Sequence, residues 1–226
     1  MKPLMVIGDV HGSYLQLSAL LESRHASGRQ IVFVGDLVDR GPDSAKVLGL
    51  VSDLIDSWSH GATLLRGNHE QALLDFLETG KVEPFLRNGG LATVASYYKS
   101  VPPNVLQSFR EDFPGRHLAM LRNSLLCLET DDFLISHMGF DPRRPNARDI
   151  DAMVLQPHHE IFESAPTNHP KLTICGHYLQ REQEPYITDN LVCIDTGCGT
   201  ILGAPLTAIL LPERRILKTD VRGEVV

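Results

Sequence analysis

Apolar positions in the first third of the chain alternate between two periods. Short aliphatic and β-branched runs at 4–8, 30–35 and 62–66 predict three buried strands, each ending on a glycine or followed by one. Between them the spacing becomes helical. Ser13 is placed to cap a helix whose apolar residues are Tyr14, Leu15, Leu17, Leu20 and Leu21. Pro42 and Asp43 open a second, with Val47, Leu48, Leu50, Val51, Leu54 and Ile55 as its inner face. A third is predicted over 70–78, stopped at Gly80. Strands alternating with helices predict crossover connections and a largely parallel sheet.

The pattern changes at about 80–123. Amphipathic pieces at 91–98, 105–113 and 116–121 are interrupted by Pro84, Gly89-Gly90, Pro102-Pro103 and Pro114, which predicts a helical insertion packed to one side of the sheet. Such an insertion either shapes a substrate entrance or serves as scaffold. A hairpin is predicted at 124–136 about Asp131-Asp132, then a surface loop with a short helix over 141–170. Strands at 171–175 and 191–194 follow, and a closing hairpin joins 206–211 to 215–219. With no repeat, linker or low-complexity tract, residues 1–226 read as one domain.

At 226 residues, 42% hydrophobic and 22% charged, the chain is long enough for a sizeable core. No apolar run is long enough for a transmembrane helix. Asp9 comes too early for a signal peptide's apolar core, so a cytoplasmic location is expected. The four cysteines, Cys127, Cys175, Cys193 and Cys198, lie in or beside apolar runs without CxxC spacing and read as reduced, packed thiols. A net charge of −7 argues against general nucleic-acid binding.

Six polar residues stand at the carboxyl ends of predicted strands: Asp9, His11, Asp36, Asn68, His137 and His177. The order strand, glycine, then Asp, Asp or Asn occurs at Gly8-Asp9, Gly35-Asp36 and Gly67-Asn68. Strand ends are where an α/β sheet places its chemistry. A lone strand-end aspartate is more often a cap, and a lone histidine a satisfied core residue. Convergence of all six on one side of a common sheet is not a folding requirement, because buried carboxylates cost free energy unless paired or metal-bound. Imidazole mixed with carboxylate suits Mn, Fe, Zn or Co better than Ca or Mg. The number of donors predicts two divalent ions, one at Asp9, His11 and Asp36, the other at Asp36, Asn68, His137 and His177, with Asp36 bridging. A pair of ions about 3.5–4 Å apart can generate hydroxide near neutral pH and clamp an in-line displacement at phosphorus.

His69, next to Asn68, is the candidate acid for the leaving alkoxide, and Asp39 the partner that fixes its tautomer. Arg40 offers a planar fork for substrate phosphate, with Asn68 beside it. The alternative for Asp39 and Arg40 is a surface ion pair in a tight turn. Glu70 reads as helix N-terminal charge with a contact behind the ligands.

Gly8-Asp9-Val10-His11-Gly12, Gly35-Asp36-Leu37-Val38-Asp39-Arg40-Gly41 and Gly67-Asn68-His69-Glu70 resemble the three signature blocks of the PPP family of metallophosphoesterases. Ser136-His137-Met138-Gly139 and Gly176-His177 resemble its two later histidine ligands, and Asp195-Thr196-Gly197-Cys198 and Leu206-Thr207-Ala208 its closing strands. The resemblance implies an α/β fold, a four-layer α/β/β/α sandwich of two mixed sheets flanked by helices. It also implies a dinuclear centre, often manganese, and direct attack by hydroxide held there, without a phosphoenzyme. Two features depart from the family. The usual Ala or Gly after the first late histidine is Met138. The Trp-x-Arg segment carrying a second phosphate-binding arginine is absent, leaving Arg143, Arg144, Arg148 or His159 to take its place.

The leading expectation is a phosphatase acting on phosphate monoesters, most concretely phosphoserine or phosphothreonine in proteins. The alternative is a symmetrical dinucleoside tetraphosphatase, or another nucleotide phosphoanhydride hydrolase, using the same centre. A nucleotide would need an apolar or aromatic wall, for which Tyr97, Tyr98, Phe140 and Tyr178 are the candidates. A non-catalytic metal-binding scaffold is the reading from another class, and a nuclease is disfavoured by the acidic balance.

Overall fold

In the computed structural model, which describes residues 2–162 and 171–226, the first strand, β1 (Leu4–Ile7), is buried along its whole length. Its alternation sets the layers: Leu4 and Val6 enter one apolar cluster, Met5 and Ile7 another. The expected alternation follows, with α1 (Tyr14–Glu22), β2 (Gln30–Phe33), α2 (Ser44–Ser57), β3 (Ala62–Leu64) and α3 (Asn68–Thr79). β1, β2 and β3 pair in parallel, with Met5 opposite Ile31 and Phe33 opposite Leu64. Gly80 takes the left-handed conformation that ends α3, as the sequence predicts.

The insertion folds into α4 (Val82–Arg87), α5 (Gly90–Ser96), α6 (Val105–Asp112) and α7 (Gly115–Arg122). Pro84, expected as a break, instead lies in the first turn of α4, where no intrahelical N–H is required. The hairpin is β4 (Cys127–Glu129) with β5 (Phe133–Ser136), and β6 (Leu172–Cys175) pairs in parallel with β5. β7 (Tyr186–Ile187), too short to leave a sequence pattern, precedes β8 (Leu191–Cys193). β9 (Leu206–Leu211) and β10 (Arg215–Thr219) form the closing hairpin.

Among the described residues these strands make two five-stranded sheets, ordered β10-β9-β1-β2-β3 and β4-β5-β6-β8-β7. β9 runs antiparallel to β1, so the predicted parallel sheet is in fact mixed, as the sandwich requires. Val6, Val32, Val34 and Ile209 meet Ile135, Ile174 and Val192 between the sheets. On the outer face of the first sheet, Met5, Ile31 and Phe33 pack against Leu17, Leu20, Val47 and Val51 of α1 and α2. The second sheet is covered by a π-helical turn, Asp151–Leu155, and a 3-10 turn, His159–Phe162. From 163 to 170 the loop predicted over 141–170 lies outside the described residues. Among the described residues no helix is long and apolar enough to cross a membrane. All four cysteines are free thiols, three of them buried.

Candidate metal centre

Two sheets deliver the predicted residues to one edge of the sandwich. Asp9 and His11 follow β1, and Asp36, Asp39 and Arg40 follow β2. Asn68 and His69 open α3 after β3, while His137 follows β5 and His177 follows β6. Strand ends this crowded leave no room for side chains between them. A Cβ at Gly176 would fall on the Asp9 carboxylate, and one at Gly67 on the Asp36 carboxylate. Five of the site residues also sit in strained turns: His11, Asp36, Asp39, Arg40 and His177 all have φ between 43° and 71°.

Asp36 stands at the centre. Its Oδ2 lies 3.8 Å from His11 Nε2, 3.7 Å from His69 Nε2 and 3.4 Å from His137 Nε2. Asn68 Oδ1 lies 3.0 Å from His137 Nε2 and 2.9 Å from His177 Nδ1. Two groups of donor atoms able to hold a metal ion result, His11 with Asp36 and His69, and Asp36 with His137 and His177. They share Asp36, the residue predicted to bridge. The first group has His69 where Asp9 was predicted; the Asp9 carboxylate accepts the His177 N–H at 3.1 Å and is close enough to Asp36 for their charges to interact.

The donor set fits a cation. His11 Nδ1 donates to Val38 O at 2.8 Å and so presents Nε2 as an acceptor, while His137 Nδ1 donates to Val34 O at 3.1 Å and turns its Nε2 toward Asp36 and Asn68. Asn68 Oδ1 faces His137 Nε2 and His177 Nδ1 at once, three donor atoms close enough together to share one cation. First-row metal bonds of about 2.1 Å set at right angles place adjacent donors about 3.0 Å apart. Burial, followed by the positive charge of neighbouring groups, pushes His11 and His177 down to about 3, so both rings are neutral, the form that binds metal. Burial, then the charges of Asp195 and Asp36, hold the Asp9 carboxyl well above the usual range. A divalent ion would relieve that cost.

His69 and Asp39 pair as predicted, with His69 Nδ1 2.7 Å from Asp39 Oδ2 and both side chains buried. Burial opposes charge on His69, yet Asp36 and the Asp39 hydrogen bond outweigh it and raise the imidazole. Arg40 is no surface ion pair. Its Nη1 and Nη2 each lie 3.0 Å from an imidazole, His11 Nε2 and His69 Nε2 respectively, and Nη1 donates to Thr200 Oγ1 at 2.6 Å.

Several partners were invisible in the sequence. Thr93 of α5 accepts the Asp39 N–H at 2.8 Å and donates to Asp39 Oδ1 at 2.7 Å, and Ser44 supports the same N–H at 3.2 Å. The insertion is therefore more than passive scaffold: its α5 clamps the partner of His69. Glu70, read from the sequence as helix N-terminal charge with a contact behind the ligands, makes that contact by accepting N–H bonds from Asp36 at 2.7 Å, Leu37 at 2.8 Å and Gly67 at 2.9 Å. Asp195 is buried near Asp9 and Asp36, and burial raises it to about 6. It follows β8 as the other carboxylates follow their strands, a signal that could have found it.

None of the suggested second arginines reaches the centre. Arg143 pairs with Glu160, Arg144 with Asp141 and Asp149, and Arg148 with Glu129. His159 stacks edge-on to Tyr178 at 5.3 Å, and Tyr178 likewise to His177 at 5.1 Å, so His159 is one ring removed. Of the aromatic wall candidates, Tyr97 packs on Phe109 and Phe113 inside the insertion, and Tyr98 faces Asp112. Phe140 is buried against the second sheet, which leaves Tyr178 beside the ligands.

A bis(5'-nucleosyl)-tetraphosphatase PrpE, asymmetrical, of Oceanobacillus iheyensis is 29% identical over 240 residues, covering 96% of this chain and 92% of that protein. Serine/threonine-protein phosphatase 1 of Salmonella typhimurium is 42% identical over 87 residues, 38% of each chain. A crystal structure provisionally named a diadenosine tetraphosphatase superposes with a TM-score of 0.68 at 21% identity, covering 97% of this chain and 93% of that one. The family described as calcineurin-like phosphoesterase matches residues 2–215. A match of that extent, on a chain with this sandwich, places the protein among the calcineurin-like phosphoesterases: it is a hydrolase, a metallophosphoesterase.

Proposed function

We propose that this enzyme hydrolyses dinucleoside polyphosphates, with water cleaving one phosphoanhydride bond to release two nucleotides. The observation that carries this reading is coverage. Likeness to the tetraphosphatase extends over 96% of the chain, whereas likeness to the protein phosphatase covers 38%. Motifs of the centre serve phosphorus chemistry in general; agreement along the remaining length is what bears on substrate. The expectation of a protein phosphatase thus gives way to the alternative weighed beside it.

Asp9, His11, Asp36, Asn68, His137 and His177 would hold two divalent ions, manganese or else iron, zinc or cobalt. When bound, these supply Lewis-acid activation of water and neutralise charge on the phosphoryl oxygens. Arg40 binds and orients the phosphate through two N–H groups in a fixed plane, and Asn68 lies beside it. His69, its Nδ1 held by Asp39, carries the proton at Nε2 that the departing phosphate oxygen takes up. Burial of His69 and Asp39 excludes bulk water from that transfer.

The test offers the manganese-loaded enzyme diadenosine tetraphosphate and a phosphoserine peptide side by side, with nucleotides separated chromatographically and free phosphate measured. Release of ATP with AMP, or of two ADP, at a kcat/KM above that for the peptide is expected. Turnover of the peptide with diadenosine tetraphosphate left intact would return the assignment to protein phosphatase, for which the 42% identity over 87 residues is the support. Turnover of neither would favour the scaffold.

A further inference from the structure

Arg40 is shared between two spaces. On one side its guanidinium faces His11 and His69; on the other it lines a cleft of about 410 Å³ with Ser13, Pro42, Thr200, Ile201 and Leu202. Thr200 joins the two through its 2.6 Å hydrogen bond to Arg40 Nη1. The wall formed by residues 199–204 is anchored. The N–H groups of Thr200 and Ile201 donate to Gly197 O at 2.9 and 2.8 Å, and buried Gln16 donates to Ala204 O at 3.0 Å.

At the rim are apolar side chains that the fold itself does not use. Leu202 is fully exposed, at 101%, and Val221, which also lines the cleft, is 53% exposed. Exposed apolar groups gathered round a cleft mark a binding surface more than a folding need. The volume falls in the ~300–1,000 Å³ range of small-ligand pockets. Its lining comes from two turns, the start of α1 and Val221, with no strand residue, so it offers a peptide no ladder to extend.

We propose that this cleft is the nucleoside subsite: the polyphosphate lies across Arg40, and the base enters between Pro42, Ile201 and Leu202. This rests on the dinucleoside polyphosphate reading above. It also answers what the aromatic candidates left open, since the base is held by aliphatic faces and the hydroxyls of Ser13 and Thr200 are placed at the ribose. Arg40 then has two tasks, gripping phosphate and marking where the anionic chain ends and the apolar one begins.

The experiment uses the full chain with manganese. Leu202→Asp puts a carboxylate at a fully exposed position, where folding is not at risk. The ratio of kcat/KM for diadenosine tetraphosphate to kcat/KM for inorganic tetraphosphate, which has no nucleoside, should fall by about tenfold or more, mainly through KM. In parallel, 8-azidoadenosine 5′-triphosphate irradiated on the unaltered enzyme should label the segment 199–204, read by peptide mass spectrometry and independent of turnover. An unchanged ratio, or label confined elsewhere, overturns the subsite. If the unaltered enzyme cleaves diadenosine tetraphosphate, that failure leaves the functional reading standing. If it cleaves only the phosphopeptide, the functional reading has failed, and the subsite with it.

Discussion

Thr93→Val isolates the clamp that the insertion places on the acid. Valine matches threonine in shape, and Thr93 is completely buried, so packing is conserved while the hydroxyl is lost. Two hydrogen bonds to Asp39 go with it, one to Oδ1 at 2.7 Å and one from N at 2.8 Å, together with a 3.2 Å contact to Ser44 Oγ; the Asp39 N–H retains Ser44 Oγ at 3.2 Å. A bond to a buried carboxylate contributes ~1.5–3 kcal/mol, so a loss of about 2 kcal/mol in stability is expected. For a chain of this size that lowers Tm by ~4–8 °C. Asp39, freed at Oδ1, no longer fixes the His69 ring. If about 1.4 kcal/mol of orientation is lost, kcat falls about tenfold, short of the ~10²–10⁴-fold expected on removing the acid itself. The fall should be larger on an alkyl phosphate, whose leaving oxygen needs a proton, than on p-nitrophenyl phosphate, whose leaving group does not. Thr93→Ser should restore both Tm and the leaving-group dependence. A variant with lower Tm but equal rates on both esters would show that α5 merely packs against the centre.

His69→Asn should retain its metals, measured by elemental analysis, while turnover of a poor leaving group drops by ~10²–10⁴-fold; an unchanged rate would remove His69 from its role. Manganese at about one hundred times its Kd should raise Tm by ~5–10 °C, from about 2.7 kcal/mol of binding free energy, and a chelator should reverse the rise. No shift in differential scanning fluorimetry would count against a preformed site. Glu129 is held down to about 2 by hydrogen bonds from Arg148 and Lys171. Because its folded value is depressed, its contribution is present above the unfolded value and is lost as pH falls from about 4.5 through about 2. With the side chain 36% exposed, screening reduces that to about 1 kcal/mol. Glu129→Gln should therefore destabilise at pH 7 and have little effect near pH 2, and equal loss at both would refute the pairing.

The candidate ligands were legible because each sits at a strand end, and most strand ends here show in the sequence as an apolar run meeting a glycine. The two crossover helices α1 and α2, and α3 after them, were legible for the same reason, their period being local. What stayed hidden depends on contacts between segments remote in sequence. Thr93 meets Asp39 across 54 positions and Thr200 meets Arg40 across 160, and neither lies in a pattern that singles it out. The loop arginines show the converse. Arg144 is taken by Asp141 and Asp149, three and five positions away, so what reads as spare cationic charge is already neutralised locally. The mixed character of the first sheet was also hidden, because β9 reaches β1 from the far end of the chain.

Glu70 shows how much rests on the contact behind the ligands that the sequence suggests. At the start of a helix its charge is favourable wherever the helix lies, which accounts for the residue type but does not name the partners of its contact. The structure gives its carboxylate a further task, accepting N–H groups from Asp36, Leu37 and Gly67, and so tying the end of β2 to the end of β3. That tie matters because Asp36 is held at φ 53°, a conformation costing a residue with a Cβ about 1–3 kcal/mol. Four other site residues, His11, Asp39, Arg40 and His177, carry similar strain. The turns persist because buried bonds over-determine them: Glu70 on Asp36, Thr93 on Asp39, Val38 O on His11 and Asp9 on the N–H of His177. The relaxed alternative would rotate Asp36 Oδ2 away from the three imidazoles that it faces at 3.4 to 3.8 Å. Strain in the turns and alignment of the donors are thus one property, and the hydrogen bonds behind the ligands, more than the ligands themselves, decide whether six donors at strand ends become a metal centre.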